Sequence, residues 1–340
     1  MKKLYAFLLL ILNILVVQAQ QKPHYTQYIL NNYILNPALT GIENYYDLKI
    51  SGRDQWVGLS GAPRTTYLTI HGPIGKEDTK TTPTSFDIPG GNPRGESYWE
   101  NYTPSKPHHG IGLMVVNDHT GNFNTLTANV TYAYHIGLTP TTNLAAGFGA
   151  GINHLHRDLS KTDFGDGITT DPAQTSSNVN QLKPDFNAGL WLYSRDFFVG
   201  LSAQQIIPQT ISYGNSNVPM QGKEVPHFFA TAGYRFLLND EINALPSVMV
   251  KYISGTPTNP QFDFNIKLQY LDLLWAGASY RWQDGYAGMI GLNVGNTFNF
   301  GYAYDYTKTP LNTTSKGTHE LIIGFLIGNR YKDTCPRNVW

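Results

Sequence analysis

From Phe262 to Tyr270 every even position is apolar or aromatic and every odd position is polar or charged. Successive side chains of a strand point to opposite faces. Phe262, Phe264, Ile266, Leu268 and Tyr270 therefore share one face, and Asp263, Asn265, Lys267 and Gln269 share the other. The same period runs through Thr125 to Ile136 and through Phe298 to Tyr306, and helical spacing explains neither. Runs of this kind, bounded by Gly, Pro, Asn and Asp, predict about fourteen strands. They fall near 45–55, 63–72, 110–118, 122–138, 143–156, 185–194, 197–207, 227–238, 246–254, 261–271, 273–283, 286–295, 297–307 and 317–329. Most come close to the length, about 9 to 11 residues, that crosses a bilayer at a tilt.

So many long strands with large aromatics on one face are hard to fit around one sandwich core, whereas lipid needs no partner sheet. The predicted fold is all-β: a transmembrane, antiparallel, up-and-down β-barrel of about fourteen strands with a short periplasmic amino-terminal segment. An even count brings both chain ends to the periplasm. The odd connections then face outward, and those at 157–184, 207–226 and 308–316 are long and rich in Gly, Pro, Asn, Ser and Thr. The even ones at 137–143, 194–196, 271–273 and 295–297 are tight. The exception is 75–108, whose prolines and glycines mark an irregular insertion that strand parity places in the periplasm.

Residues 1–19 read as a secretory signal peptide cleaved near Ala19: Lys2 and Lys3 lead an apolar run that ends in Val17-Gln18-Ala19. No later apolar run is long enough for a spanning helix, and the mean hydropathy is −0.29. The predicted organisation is signal peptide 1–19, amino-terminal periplasmic or plug segment 20–44, barrel 45–330 and polar tail 331–340. Twenty-four basic side chains balance twenty-four acidic ones, which gives no electrostatic reason to expect nucleic acid. Cys335 has no second cysteine with which to form an internal disulfide. His108-His109 and His154-Leu155-His156 lack the spaced Asp, Glu or Cys of a zinc site. Gly147-Phe-Gly-Ala-Gly151 lies in a strand pattern and does not open a helix, so it is no phosphate loop. Its glycines ease curvature or leave room for neighbours in the lumen. No catalytic residue, metal site or cofactor is predicted.

By the same alternation Asp47, Lys49, Arg53, Arg235, Lys251, Asp263, Lys267, Arg281, Asp305 and Glu320 point inward, away from lipid. They are candidates for a lumenal charge network, with a path for ions or solutes as the other reading. The segment before the first strand mixes Tyr25, Tyr28, Ile29, Tyr33, Ile34 and Leu35 with Asn31, Asn32 and Asn36, and Pro37 bends it. Such a segment can seal its own barrel, contact a partner, or do both.

Gln21-Lys-Pro-His-Tyr25-Thr-Gln-Tyr28, Asn36-Pro37-Ala38-Leu-Thr-Gly41, Ser51-Gly-Arg53-Asp-Gln55-Trp56 and Gly317-Thr-His319-Glu320 stand in an order that resembles the PorP/SprF family. These are outer-membrane proteins of the Bacteroidetes type IX secretion and gliding machinery. The resemblance covers nearly the whole mature chain; the 75–108 insertion departs from it. It implies an outer-membrane barrel with no enzymatic activity that works through protein partners. Those partners are components of the periplasmic ring and motor, the carboxyl-terminal domain of a secreted surface adhesin, or both. Tyr25, Tyr28, Asn32, Asn36, Pro37, Gly41, Arg53, Gln55 and Trp56 are the candidate partner-binding residues. The alternative function is an outer-membrane diffusion channel or hydrophobic-solute transporter.

Overall fold

The computed structural model describes residues 25–75, 104–157, 180–212, 221–255, 259–271, 273–295 and 297–329. The predicted signal peptide, most of the 75–108 insertion and the tail with Cys335 lie outside the described residues. Among the described residues seventeen strands follow one another: β1 (Tyr46–Asp54), β2 (Arg64–Ile74), β3 (His108–Thr120), β4 (Phe123–Thr139), β5 (Thr142–Arg157), β6 (Asn180–Ser194), β7 (Phe197–Gln204), β8 (Gln209–Ser212), β9 (Gln221–Glu224), β10 (His227–Tyr234), β11 (Phe236–Asn239), β12 (Ile242–Ile253), β13 (Gln261–Tyr270), β14 (Leu274–Arg281), β15 (Gly285–Val294), β16 (Phe298–Thr307) and β17 (Thr318–Ile327). Neighbours pair antiparallel, β1 pairs with β17, and β10 pairs with both β7 and β12. The sheet therefore closes on itself. β10 and β11 occupy one position in the wall, since both pair with β12, and the barrel has fourteen strands.

Two prolines account for the main shifts from the sequence-derived boundaries. Pro184 and Pro246 read as strand edges, yet β6 begins at Asn180 and β12 at Ile242. Proline cannot donate to a ladder and is tolerated in a sheet where the ladder is already interrupted. Opposite Pro246 it is. Pairing with β12 runs to Gly233↔Ser247, resumes at Phe236↔Ala244, and the Arg235 amide turns away to donate to the Asp196 carbonyl at 2.7 Å.

The side chains face as the alternation requires. Phe264, Ile266 and Leu268 are each 45% exposed, whereas Asp263 is fully buried and Lys267 is 8% exposed. The loop end of the barrel carries the 54–64, 204–227 and 307–318 connections. The turn end carries the tight ones, together with both edges of the 75–108 insertion. At the loop end β8 and β9 form a separate hairpin that lies over the lumenal face: Ile211 packs on Leu155, and Asn153 Nδ2 donates to Glu224 Oε1 at 2.7 Å. Among the described residues no helix is long and apolar enough to cross a membrane.

Facing sets the tolerance of β13 to charge. Ile266→Lys, which puts an ammonium into lipid, should cost about 2–4 kcal/mol. Lys267→Leu on the lumenal side should cost clearly less. Urea titration of the heat-modifiable barrel in lipid checks the order, and equal losses would contradict the facing.

Candidate functional site: the threaded lumen

The lumen is occupied by the chain's own residues Tyr25 to Tyr45. Tyr28, Ile29, Tyr33, Ile34, Leu35, Leu39 and Ile42 are buried, and together with Trp191, Tyr193, Phe198 and Trp275 of the wall they form the main apolar cluster. The segment has no period-two pattern and does not join the sheet. It folds instead into short 3-10 turns at Gln27–Leu30, Asn32–Ile34 and Pro37–Leu39. Asn36 starts the last of these by accepting a bond from the Ala38 amide at 2.9 Å, and Pro37 presets its first residue. The Asn36 amide group also donates to the Leu190 and Leu201 carbonyls at 3.0 and 3.2 Å, which ties the turn to β6 and β7.

Close approach explains the wall glycines here. A Cβ at Gly147 would overlap Pro37 and the Ala38 amide, and a Cβ at Gly189 would overlap the Asn36 side chain. Gly41, at φ +76°, presses its backbone on Gly110.

The segment runs from one end of the barrel to the other. At the loop end the Thr26 and Gln27 amides donate to Glu320 at 2.8 and 3.3 Å, and the Thr26 hydroxyl donates to Asp305 at 2.6 Å. Arg53 bridges Glu320 (2.7 Å), Asp305 (2.8 Å) and the Thr26 hydroxyl (2.7 Å). Arg281 extends the cluster to Asp263 at 3.5 Å and Asp284 at 2.9 Å. Midway, the Tyr33 hydroxyl bonds Thr131 at 2.6 Å, and Asn31 donates to Thr69 at 3.0 Å. At the turn end three histidines hold Thr40 and Gly41. His71 Nδ1 accepts from the Gly41 amide (3.2 Å), His108 Nε2 bonds the Gly41 carbonyl (3.1 Å) and His135 Nε2 bonds the Thr40 carbonyl (2.8 Å). His108 and His135 stack with ring centroids 4.5 Å apart.

The family model for the type IX secretion system membrane protein PorP/SprF matches residues 17–325. The chain belongs to the PorP/SprF family. No curated protein matches it. Among solved structures, the toluene transporter TbuX of Ralstonia pickettii is similar with a TM-score of 0.49 at 12% identity, over 88% of this chain and 92% of that one. A FadL homologue of Pseudomonas aeruginosa gives 0.46 at 11%, over 91% and 96%. Omp33 of Acinetobacter baumannii gives 0.42 at 9%, over 85% and 100%.

In this PorP/SprF member the motif residues face their own barrel. Tyr28, Asn32, Asn36, Pro37, Gly41 and Arg53 are buried in the lumen, because amides, phenols and apolar side chains all find matching groups on the inward wall. The described part of the amino-terminal segment lies in the lumen, with Tyr25 and Thr26 at the loop end. Tyr25 is half-buried, edge-on to Tyr67 at 5.5 Å. Gln55 and Trp56 are half-buried in the loop-end connection, where the Trp56 amide donates to the Thr318 hydroxyl at 3.1 Å.

All the lumenal charge candidates are buried. Arg53, Asp263, Arg281, Asp305 and Glu320 form one cluster, while Asp47 and Lys49 pair nearer the turn end, with His71 Nε2 3.9 Å from Asp47. Lys267 lines a small cavity with Tyr28, Ile29 and Asn32, and Lys251 and Arg235 lie elsewhere on the inward face. Sequence reasoning missed His71, His108, Ser202 and Gln204 as plug contacts. Their only signal is inward parity, which marks a face without naming what covers it. Among the described residues no group of His, Cys, Asp or Glu is placed to hold a metal.

Arg53→Ala leaves Asp305 and Glu320 buried without their main counter-charge and should cost about 3–5 kcal/mol. Asp54→Ala, which breaks the exposed pair with Arg64, should cost about 0–1 kcal/mol. Gly147→Val should lose about 1–3 kcal/mol through overpacking against Pro37. Heat-modifiability of each purified variant checks all three, and Gly147→Val should also make Tyr25–Tyr45 more open to protease.

Proposed function

We propose that this barrel is a non-enzymatic accessory of type IX secretion that works through protein contacts, supporting the export or surface attachment of a secreted adhesin or contacting the periplasmic ring. The observation that carries the reading is the filled lumen. A barrel of about fourteen strands is wide enough to need internal filling. Here that filling is the chain's own Asn-Pro-Ala segment, secured at both ends by buried polar clusters. The filling speaks against an open diffusion pore, and a docking platform gains a rigid wall from it. The loop-end rim, with Gln55, Trp56 and the half-buried Tyr25, is the surface through which we expect a surface adhesin to be met.

Two measurements test the proposal together. The purified protein should show negligible steady conductance in planar bilayers, and deletion of its gene should remove a surface adhesin from the cell while leaving small-solute uptake unchanged. Large steady conductance with surface adhesins intact would overturn it in favour of a channel.

A further inference from the structure

On the inward face of β5, Gly147 lies under the plug and Asn153 under the β8–β9 hairpin, and Gly151 falls between these two contacts. Gly151 pairs with Asn129 of β4 on one side and with Asp185 of β6 on the other, so two polar side chains flank a position that has none. They meet across it: Asn129 Nδ2 donates to Asp185 Oδ2 at 2.8 Å, and Asn187 Nδ2 donates to the same oxygen at 3.2 Å. A Cβ at Gly151 would lie 2.5 Å from Asn129 Oδ1, so glycine is what permits the approach. Asp185 is 3% exposed and Asn129 is fully buried, yet Asp185 Oδ1 and Asn129 Oδ1 have no hydrogen-bond partner. With the carboxylate ionised both oxygens only accept, and neither can serve the other. Its charge is unanswered as well. The groups that bond Asp185 are neutral amides, and Lys183 of the same strand turns to the hairpin, where its ammonium donates to the Thr210 carbonyl at 2.5 Å. A carboxylate buried without a counter-charge is costly, and a bound cation removes the cost.

We propose that Asp185 and Asn129 are the protein ligands of a hard divalent cation of the Ca²⁺ type, with Asn187 positioning the carboxylate and water completing the shell. A carboxylate beside a carboxamide oxygen is ligand chemistry for Ca²⁺ and not for zinc or copper, which explains why no group of His, Cys, Asp or Glu marks the place. A single carboxylate puts the site in the weak class, half-saturated at about 10⁻⁴ to 10⁻³ M. The ion would lie one inward residue of β5 below Asn153, which holds Glu224 of the hairpin, and so would stiffen the wall on which the hairpin rests. The site stands independently of the secretion reading.

The test uses the full-length protein, refolded in detergent without membrane lipid and stripped with EDTA, and CaCl₂ as the probe. Calorimetry should find one Ca²⁺ per barrel, and saturating CaCl₂ should raise the temperature of the heat-modifiability transition by a few degrees. NaCl at equal ionic strength should not. Asp185→Asn keeps the shape and an oxygen for both amide donors, and it should abolish the binding and the shift. Asn129→Asp adds a second carboxylate and should tighten Ca²⁺ binding roughly tenfold. Asp54→Asn, at an exposed carboxylate paired with Arg64, should change neither readout. Failure of the folded wild type to bind Ca²⁺ would overturn the proposal. So would binding that survives Asp185→Asn, an equal response to NaCl, or no tightening in a folded Asn129→Asp. A transition temperature that Asp185→Asn raises whether or not Ca²⁺ is present would likewise overturn it, because the carboxylate would then be an unanswered or protonated group and not a ligand. If Asn129→Asp gives no heat-modifiable barrel, the comparison of wild type with Asp185→Asn decides the matter alone.

Discussion

In the hydrocarbon of a bilayer a backbone amide has no water to bond, so every N–H and C=O of a spanning segment must be satisfied within the protein. Pairing of β10 with both β7 and β12 meets that requirement here by leaving the wall no open edge. Much else follows from closure. Side chains that alternate along each strand are divided between lipid and lumen, and the polar half must find partners inside. Fourteen strands enclose more space than inward side chains fill on their own, and the Tyr25 to Tyr45 segment takes up the remainder.

The lumen therefore serves as this protein's core, but a polar one. Its apolar cluster of Tyr28, Ile34, Leu39, Trp191 and Tyr193 is interleaved with Arg53, Glu320, Asp305 and three histidines. A buried ion pair contributes little net stability after desolvation, yet losing one partner is costly, so such clusters favour one arrangement over its near neighbours. The Arg53 cluster and the histidine group hold the two ends of the segment and fix its position along the barrel axis.

Architecture was legible in the sequence because the strand period is short and repeated many times. Phe262 to Tyr270 alone shows which face meets lipid. The misplaced boundaries at Pro184 and Pro246 come from reading proline as a terminator where a long wall tolerates it. The site was only partly legible. Asn36, Pro37, Gly41 and Arg53 stood out as a motif, but a motif does not say whether it faces a partner or its own barrel. Thr26 carries no pattern of its own, and its bonds to Asp305 and Glu320 span nearly the whole chain. Contacts of that separation arise from closure, which no local window records.

Arg53 and Glu320 face each other in register across β1 and β17, the first and last strands of the wall. The seam that completes the cylinder and the clasp on Thr26 therefore share the same two side chains. The loop-end part of the plug is secured where the first and last strands of the wall meet, so Thr26 has its full set of partners only once the circle is complete. A substitution at either side chain therefore touches the seam of the wall and the hold on the plug at once.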